Sequence, residues 1–101
     1  MTGVITSEIL KEFKDRMHLG DEEDDNLLSI LEASCEALIE DCGDYDITNK
    51  RFKELVFERS RYVYNDALEY FSTNFLTEIN NLRLKSALDE IVLEGDPDAE
   101  V

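Results

Sequence analysis

Proline, glycine, cysteine and histidine are all scarce in this 101-residue chain, which holds one Pro, four Gly, two Cys, one His and no Trp. The scarcity of proline and glycine removes the residues that most often interrupt helices. No apolar run approaches the roughly 18 residues that cross a bilayer, and the N-terminal residues lack the basic and apolar regions of a signal peptide. These absences predict a protein made in the cytoplasm, with no membrane partner.

Basic residues are also few, and the balance of charge is strongly acidic. Ten Lys and Arg stand against 25 Asp and Glu, so the formal net charge at pH 7 is −15. Residues 1–48 hold 14 of the acids and three bases, whereas residues 49–93 hold seven of each. Binding to DNA phosphates and to anionic membranes depends on clustered Lys and Arg, so the charge argues against both. The expected partners are proteins or cations, without sequence-specific contact to nucleic acid.

The spacing of apolar residues predicts an all-α fold. Before the only proline, Pro97, apolar residues recur at spacings of three and four, which is the helical period. We expect a small bundle of three to five helices in a single domain over residues 1–93. Residues 94–101 hold four acids, one glycine and the proline. This composition predicts a disordered, flexible acidic C-terminal tail.

Two helices are predicted in the acidic first half. Thr6 or Ser7 can cap the first helix, which should stop at Gly20. The second begins at the acidic residues 21–25, whose carboxylates suit the positive end of a helix, and ends at Gly43. The apolar stripe of the first helix is Ile9, Leu10, Phe13 and Met17. The stripe of the second is Leu27, Leu31, Ser34, Cys35, Leu38 and Cys42.

A long, aromatic-rich third helix is predicted from Thr48 or Asn49 onward, with two apolar stripes. One stripe is Phe52, Leu55, Val56, Tyr62, Val63 and Tyr70. The other is Phe57, Tyr64, Leu68, Phe71 and Phe75. The second stripe needs a fourth helix or another subunit to cover it, and in a chain this short we expect both. The candidate fourth helix contains Phe75, Leu76, Ile79, Leu82, Leu84 and Leu88, and the pattern leaves open whether residues 50–88 form one bent helix or two.

The second stripe supplies a candidate protein interface. Its members are Phe57, Arg61, Tyr64, Leu68, Phe71 and Phe75. Arg59 lies in the middle of an apolar stripe, so its charge should be paired or should extend to water, and Asp66 is a candidate partner.

No residue pattern for catalysis or metal binding is complete. Cys35 and Cys42 are expected to be reduced core residues, since a zinc site would need two further ligands. The single histidine, His18, suits a helix end. The acidic residues 21–32 mimic the spacing of a calcium-binding EF-hand, but Asn26 stands where that loop needs glycine. Without a phosphate-binding loop or a nucleophile beside a base, we expect no enzyme activity, no metal and no cofactor.

Five short stretches carry a resemblance to a known family. They are Thr6-Ser-Glu-Ile-Leu-Lys-Glu-Phe-Lys, Asp24-Asp-Asn-Leu-Leu, Cys42-Gly, Leu55-Val-Phe-Glu-Arg-Ser-Arg-Tyr-Val-Tyr-Asn-Asp-Ala-Leu-Glu-Tyr-Phe and Asn74-Phe-Leu. Together they resemble the small head-tail connector proteins of long-tailed bacteriophages, over residues 5–85. The chain departs from the commoner pattern because it lacks a proline-bearing segment between its last helices.

The resemblance implies a structural adaptor located in the virion. Copies would assemble into a ring beneath the portal protein after DNA packaging, and the ring would receive the next head-completion or tail protein. Such connectors are helical and have no cofactor. DNA would only pass through the ring, so carboxylates that repel phosphate suit its lumen. The candidate lumen-facing residues are Asp21, Glu22, Glu23, Asp24 and Asp25.

Two other functions fit the composition. An acidic DNA mimic or regulatory protein that binds a basic host protein would explain the charge equally well. A mimic should spread its acids over its whole exposed surface, however, and the neutral second half does not fit that expectation. A small helical subunit of a bacterial complex without a phage connection is the third interpretation. Portal and major capsid genes upstream of this gene would favour the connector.

Overall fold

The computed structural model describes the backbone of residues 5–94 and the side chains of residues 5–89. Within that range the chain forms five α-helices and no β-strand, so the all-α prediction is confirmed there. The helices are α1 (Ser7–Met17), α2 (Asp24–Cys42), α3 (Lys50–Tyr64), α4 (Phe71–Asn74) and α5 (Leu76–Glu94), and a 3-10 turn spans Leu68–Tyr70. Of the predicted tail, only Glu94 lies within the described residues, and it ends α5.

Helix α2 is the element on which α1, α3 and α5 pack. All six side chains of its predicted apolar stripe are at most 1% exposed, which confirms the stripe. They are Leu27, Leu31, Ser34, Cys35, Leu38 and Cys42. Burying one leucine side chain contributes about 1.5–3 kcal/mol to stability, so the three fully buried leucines of α2 supply a large share of the hydrophobic driving force.

Local hydrogen bonds fix both ends of α1. The Thr6 hydroxyl accepts a hydrogen bond from the Ile9 amide at 3.2 Å, as predicted. The helix ends at Met17 because His18 adopts a left-handed conformation with φ 60°. The Leu19 amide then donates to the carbonyl of Lys14 at 2.9 Å. The predicted stop at Gly20 is therefore late, because a histidine takes the left-handed position that glycine usually occupies.

The predicted long third helix is not confirmed, because α3 ends at Tyr64. Asp66 adopts a left-handed conformation with φ 59°. Its amide donates to the Val63 carbonyl at 3.0 Å, and the Ala67 amide donates to the Tyr62 carbonyl at 2.8 Å. This pair of bonds is the Schellman arrangement that terminates helices. Aspartate enters the left-handed region more readily than most residues, so the chain turns here.

Helix α5 packs on the C-terminal part of α2. Ile79 and Leu82 are each 4% exposed. The Tyr45 hydroxyl donates to the Leu82 carbonyl at 2.7 Å, and Arg83 Nε donates to the Asp41 carbonyl, also at 2.7 Å. These apolar and polar contacts together hold α5 against the end of α2.

Gly43 sets the distance between α2 and α5. It ends α2 with φ 120°, a backbone conformation that side-chain-bearing residues rarely adopt. A β-carbon at this position would also overlap the Ser86 side chain of α5. The position therefore requires glycine both for its backbone angle and for the close approach of α5.

We expect Gly43→Ala to lower the free energy of unfolding by about 1–3 kcal/mol, because alanine is strained at this backbone angle. Gly20→Ala is the matched control, since a β-carbon at Gly20 would meet only the flexible Glu22 carboxylate, at 2.7 Å. Urea denaturation followed by circular dichroism measures both variants. Equal stability of the two variants would contradict this role of Gly43.

Candidate functional site

Two of the six residues of the predicted interface lie in the core. Phe57 and Phe71 are 1% and 2% exposed. The Phe57 ring packs 5.4 Å from the Phe13 ring of α1, and the Phe71 ring packs 5.0 Å from the ring of Phe75. The chain's own helices therefore cover the second stripe at these two positions. We reassign Phe57 and Phe71 to the core, because neither ring is available to a second chain.

The other four members of the predicted interface remain accessible. Arg61 and Leu68 are exposed, while Tyr64 and Phe75 are half-buried. The Arg61 guanidinium lies 2.6 Å from the carboxylate of Glu58, so its charge is already paired within α3. An interface role for these four residues stays a prediction.

Lys14 neutralises part of the acidic run that we predicted to face a lumen. Its Nζ lies 2.6 Å from Asp21 Oδ1 and 2.8 Å from Asp24 Oδ1. The hydrogen bond from Lys14 lowers the pKa of Asp21. The same two carboxylates raise the pKa of Lys14. Asp21 and Asp24 therefore connect α1 to the start of α2.

The other acids of this run differ in their contacts. Glu23 accepts a hydrogen bond from the Tyr64 hydroxyl at 2.7 Å, and this bond raises the pKa of Tyr64. Glu22 and Asp25 are exposed and form no ion pair with any described residue. Of the five predicted lumen-facing acids, Glu22, Glu23 and Asp25 therefore form no ion pair with a described base, and only Glu23 of these three has a hydrogen-bonded side-chain partner.

A longer row of acids follows the exposed face of α2. Its members are Asp25, Glu32, Glu36 and Glu40, all exposed and without an ion-pair partner in residues 5–89. Spacings of seven and four place them on one side of the helix, over about 22 Å at 1.5 Å per residue. The spacing of the apolar residues does not reveal this row, which we call the α2 acidic row. Applying the helical period to acidic residues as well as to apolar ones would have found it.

Arg59 lies half-buried beside a groove between α2 and α3 and has no carboxylate partner within the described part of the chain. Its Nη1 donates to Ser34 Oγ at 3.1 Å, and burial lowers the pKa of the guanidinium. Asp66, the predicted partner, instead forms the turn after α3. The pairing of Arg59 with Asp66 was therefore wrong, because the helix ends before Asp66 can lie on the face of Arg59.

A second groove, of about 380 Å³, runs between α3 and α5, and we call it the α3/α5 groove. Leu55, Phe75 and Leu82 supply its apolar floor. The polar residues that line it are Arg51, Glu54, Glu58, Glu78 and Asn81. An open groove with an apolar floor on a small helical domain is typical of a protein-binding surface.

Three leucines of α5 face solvent. Leu76, Leu84 and Leu88 are 54%, 60% and 51% exposed. The sequence predicts them in a helix that covers the third helix, yet among the α5 residues with described side chains only Ile79 and Leu82 are buried. Helix α5 therefore has one apolar side against α2 and further apolar residues without a partner in the described chain.

The cysteines and the histidine take the predicted places. Cys35 and Cys42 are free and buried. Burial raises the pKa of each thiol to about 11, so both are protonated at neutral pH. His18 lies at the end of α1. The described residues contain no group of three or more His, Cys, Asp or Glu side chains that could hold a metal ion.

Comparison of the chain with known protein families, curated proteins and solved structures finds no match. No described helix is long and apolar enough to cross a membrane. The surfaces of the chain are therefore interpreted from their own geometry and charge.

The two buried serines make a matched pair of variants. Ser34 Oγ accepts the bond from Arg59, whereas Ser60 Oγ is buried without a hydrogen-bond partner among the described residues. Both lie inside helices, so alanine gains similar helix propensity at each. We expect Ser60→Ala to raise the free energy of unfolding by about 1 kcal/mol and Ser34→Ala to lower it by about 1 kcal/mol. Chemical denaturation measures both, and the opposite order of stabilities would contradict the assignment.

Proposed function

We propose that the chain is a structural adaptor of a phage head-tail connector, which forms a ring on the portal protein after DNA packaging. The ring provides the docking surface for the next head-completion or tail protein. The resemblance over residues 5–85 supports this proposal, and the stretches that carry it fall in α1, α2, α3 and α4 or directly beside them. A helical body is also what the resemblance implies.

The observation that carries the proposal is the presence of two unlike surfaces on one small helical body. The α2 acidic row offers four unpaired carboxylates over about 22 Å. The α3/α5 groove and the exposed leucines of α5 offer apolar surface instead. A ring adaptor needs both, because its lumen should repel DNA phosphate while its other faces bind protein. We therefore extend the candidate lumen surface from Asp21, Glu22, Glu23, Asp24 and Asp25 to the α2 acidic row.

The α2 acidic row also favours a second candidate, an acidic DNA mimic that binds a basic host protein. Regularly spaced carboxylates on a rigid helix could occupy a site that normally binds phosphates. The exposed leucines of α5 do not fit a mimic, since a mimic presents charge rather than apolar surface to its partner. Location separates the two candidates, because an adaptor remains in the mature virion and a mimic acts on a host protein.

The adaptor proposal predicts that the chain is found at the neck of mature virions produced from the genome that encodes it. Deletion of its gene should leave DNA-filled heads without attached tails. Antibody labelling in electron micrographs and mass spectrometry of purified virions measure the location. Normal tailed particles from the deletion strain would contradict the adaptor, and capture of a basic host protein by the free chain would favour the mimic.

The lumen assignment predicts a defect in a variant that removes charge from the α2 acidic row. The triple variant Glu32→Gln, Glu36→Gln and Glu40→Gln should still enter virions, because these exposed side chains make no ion pair within the described chain. Infectivity per particle should fall, because the wall would no longer repel the DNA that slides past it.

The control for this variant changes the same number of charges elsewhere. Its substitutions are Glu8→Gln, Asp44→Asn and Glu69→Gln, all at exposed positions away from the row. Plaque counts per DNA-filled particle measure both variants. An equal fall in infectivity for the two triple variants would contradict the assignment of the row to the lumen.

A further inference from the structure

The outward side of α5 beside the α3/α5 groove has the pattern of a helix-pairing face. Glu78, Asn81, Lys85 and Leu88 follow one another at spacings of three, four and three residues, which places all four on one side of the helix. Glu78 and Asn81 line the groove, and Lys85 and Leu88 continue the same side beyond it. We call these four residues the α5 pairing face.

The charges of this face are available to a partner. Glu78 forms no ion pair with any described residue. Among the described residues Lys85 forms one ion pair, with Asp89 at 3.6 Å, and both side chains are more than 60% exposed. Exposed pairs of this kind contribute little to stability. Both charges can therefore be redirected to a second chain at small cost.

We propose that the α5 pairing face binds the same face of a second copy of this chain, in an antiparallel arrangement. If a two-fold axis passes between Asn81 and Leu82, Glu78 lies opposite the partner's Lys85, and Lys85 lies opposite the partner's Glu78. The face is thus complementary to itself in charge, as a two-fold interface requires. A second copy is therefore the occupant that the charge pattern selects.

The same two-fold axis also places apolar residues of the two copies opposite each other. Leu88, which is 51% exposed, lies opposite the partner's Phe75 and the apolar end of its groove. Because the contact is two-fold, it covers Leu88 of both copies and both grooves at once. This arrangement buries Leu88 and covers the apolar floor of the groove in both copies.

The contact should be weak. Helix α5 has 19 residues, so the pairing face runs over at most about 28 Å. One helix pair of this length buries less than the roughly 800 Å² per partner of a typical stable interface. Each copy also carries a formal net charge of −15, which opposes association. The proposal is therefore a reversible dimer of the free protein, independent of any phage component.

Charge reversal tests the proposed register. Glu78→Lys and Lys85→Glu, made singly, should each weaken dimerisation by about tenfold or more, because each places two like-charged pairs across the axis. The double variant should recover the wild-type dimerisation, because the two pairs form again with reversed sign. Lys11→Glu is the control, since Lys11 is an equally exposed helical lysine whose partner, Asp15, also lies four residues later. Sedimentation velocity over a range of protein concentrations measures the dimer constant.

A cysteine pair tests which side of α5 faces the partner. Asn81→Cys should form a disulfide-linked dimer on mild oxidation, because the axis brings the two copies of this position together. Asn80→Cys should not form this disulfide, because position 80 lies about 100° around the helix from position 81 and faces away from the axis. Circular dichroism checks that each variant remains helical.

The proposal is overturned by any of three results. The first is a wild-type chain that stays monomeric at all concentrations, and the second is a double variant that does not recover dimerisation. The third is more cross-linking by Asn80→Cys than by Asn81→Cys. None of these results bears on location in the virion. Failure of this inference and failure of the adaptor proposal can therefore be told apart.

Discussion

The buried face of α2 is the contact on which the rest of the structure depends. Its leucines and cysteines are inaccessible to solvent because α1, α3 and α5 all pack against this helix. A helix that buries one face against three neighbours must leave its opposite face in water. That opposite face holds the α2 acidic row, so the packing of the core and the position of the unpaired carboxylates are two consequences of one arrangement.

The distribution of the few basic residues decides which surfaces remain acidic. Arg16 binds Glu54 with its guanidinium 4.9 Å from the ring of Phe57, and Lys53 binds Glu12 at 3.0 Å, so these bases connect α1 to α3. The hydrogen bond from Arg16 lowers the pKa of Glu54. Among the described residues, the ion pair between Lys14 and Asp24 is the one that neutralises a carboxylate of α2. The surface charge therefore follows from the internal pairing as well as from the composition.

Sequence periodicity predicted the parts of the fold that depend on regular spacing, such as the stripe from Leu27 to Cys42 and the cap at Thr6. The glycine at position 43 correctly predicted the end of α2. The ends of α1 and α3 were not predicted, because His18 and Asp66 take left-handed conformations that are usually left to glycine. The missed turn at Asp66 also explains the error at the interface. An uninterrupted helix would have left Phe71 on an open face, whereas the turn folds Phe71 against Tyr62 and Phe75. The α3/α5 groove depends on helices far apart in sequence, so no local pattern could indicate it.

In the proposed dimer, Leu88 and the α3/α5 groove draw copies of the chain together, while their net charge of −15 keeps them apart. The salt dependence of the wild-type dimer constant tests this balance most directly. Raising the ionic strength from about 0.01 M to about 1 M shortens the Debye length from about 30 Å to about 3 Å and screens the repulsion. Sedimentation velocity across this range should show dimerisation that strengthens as salt is added. Dimerisation that weakens with salt, or that does not occur at any salt concentration, would contradict the account.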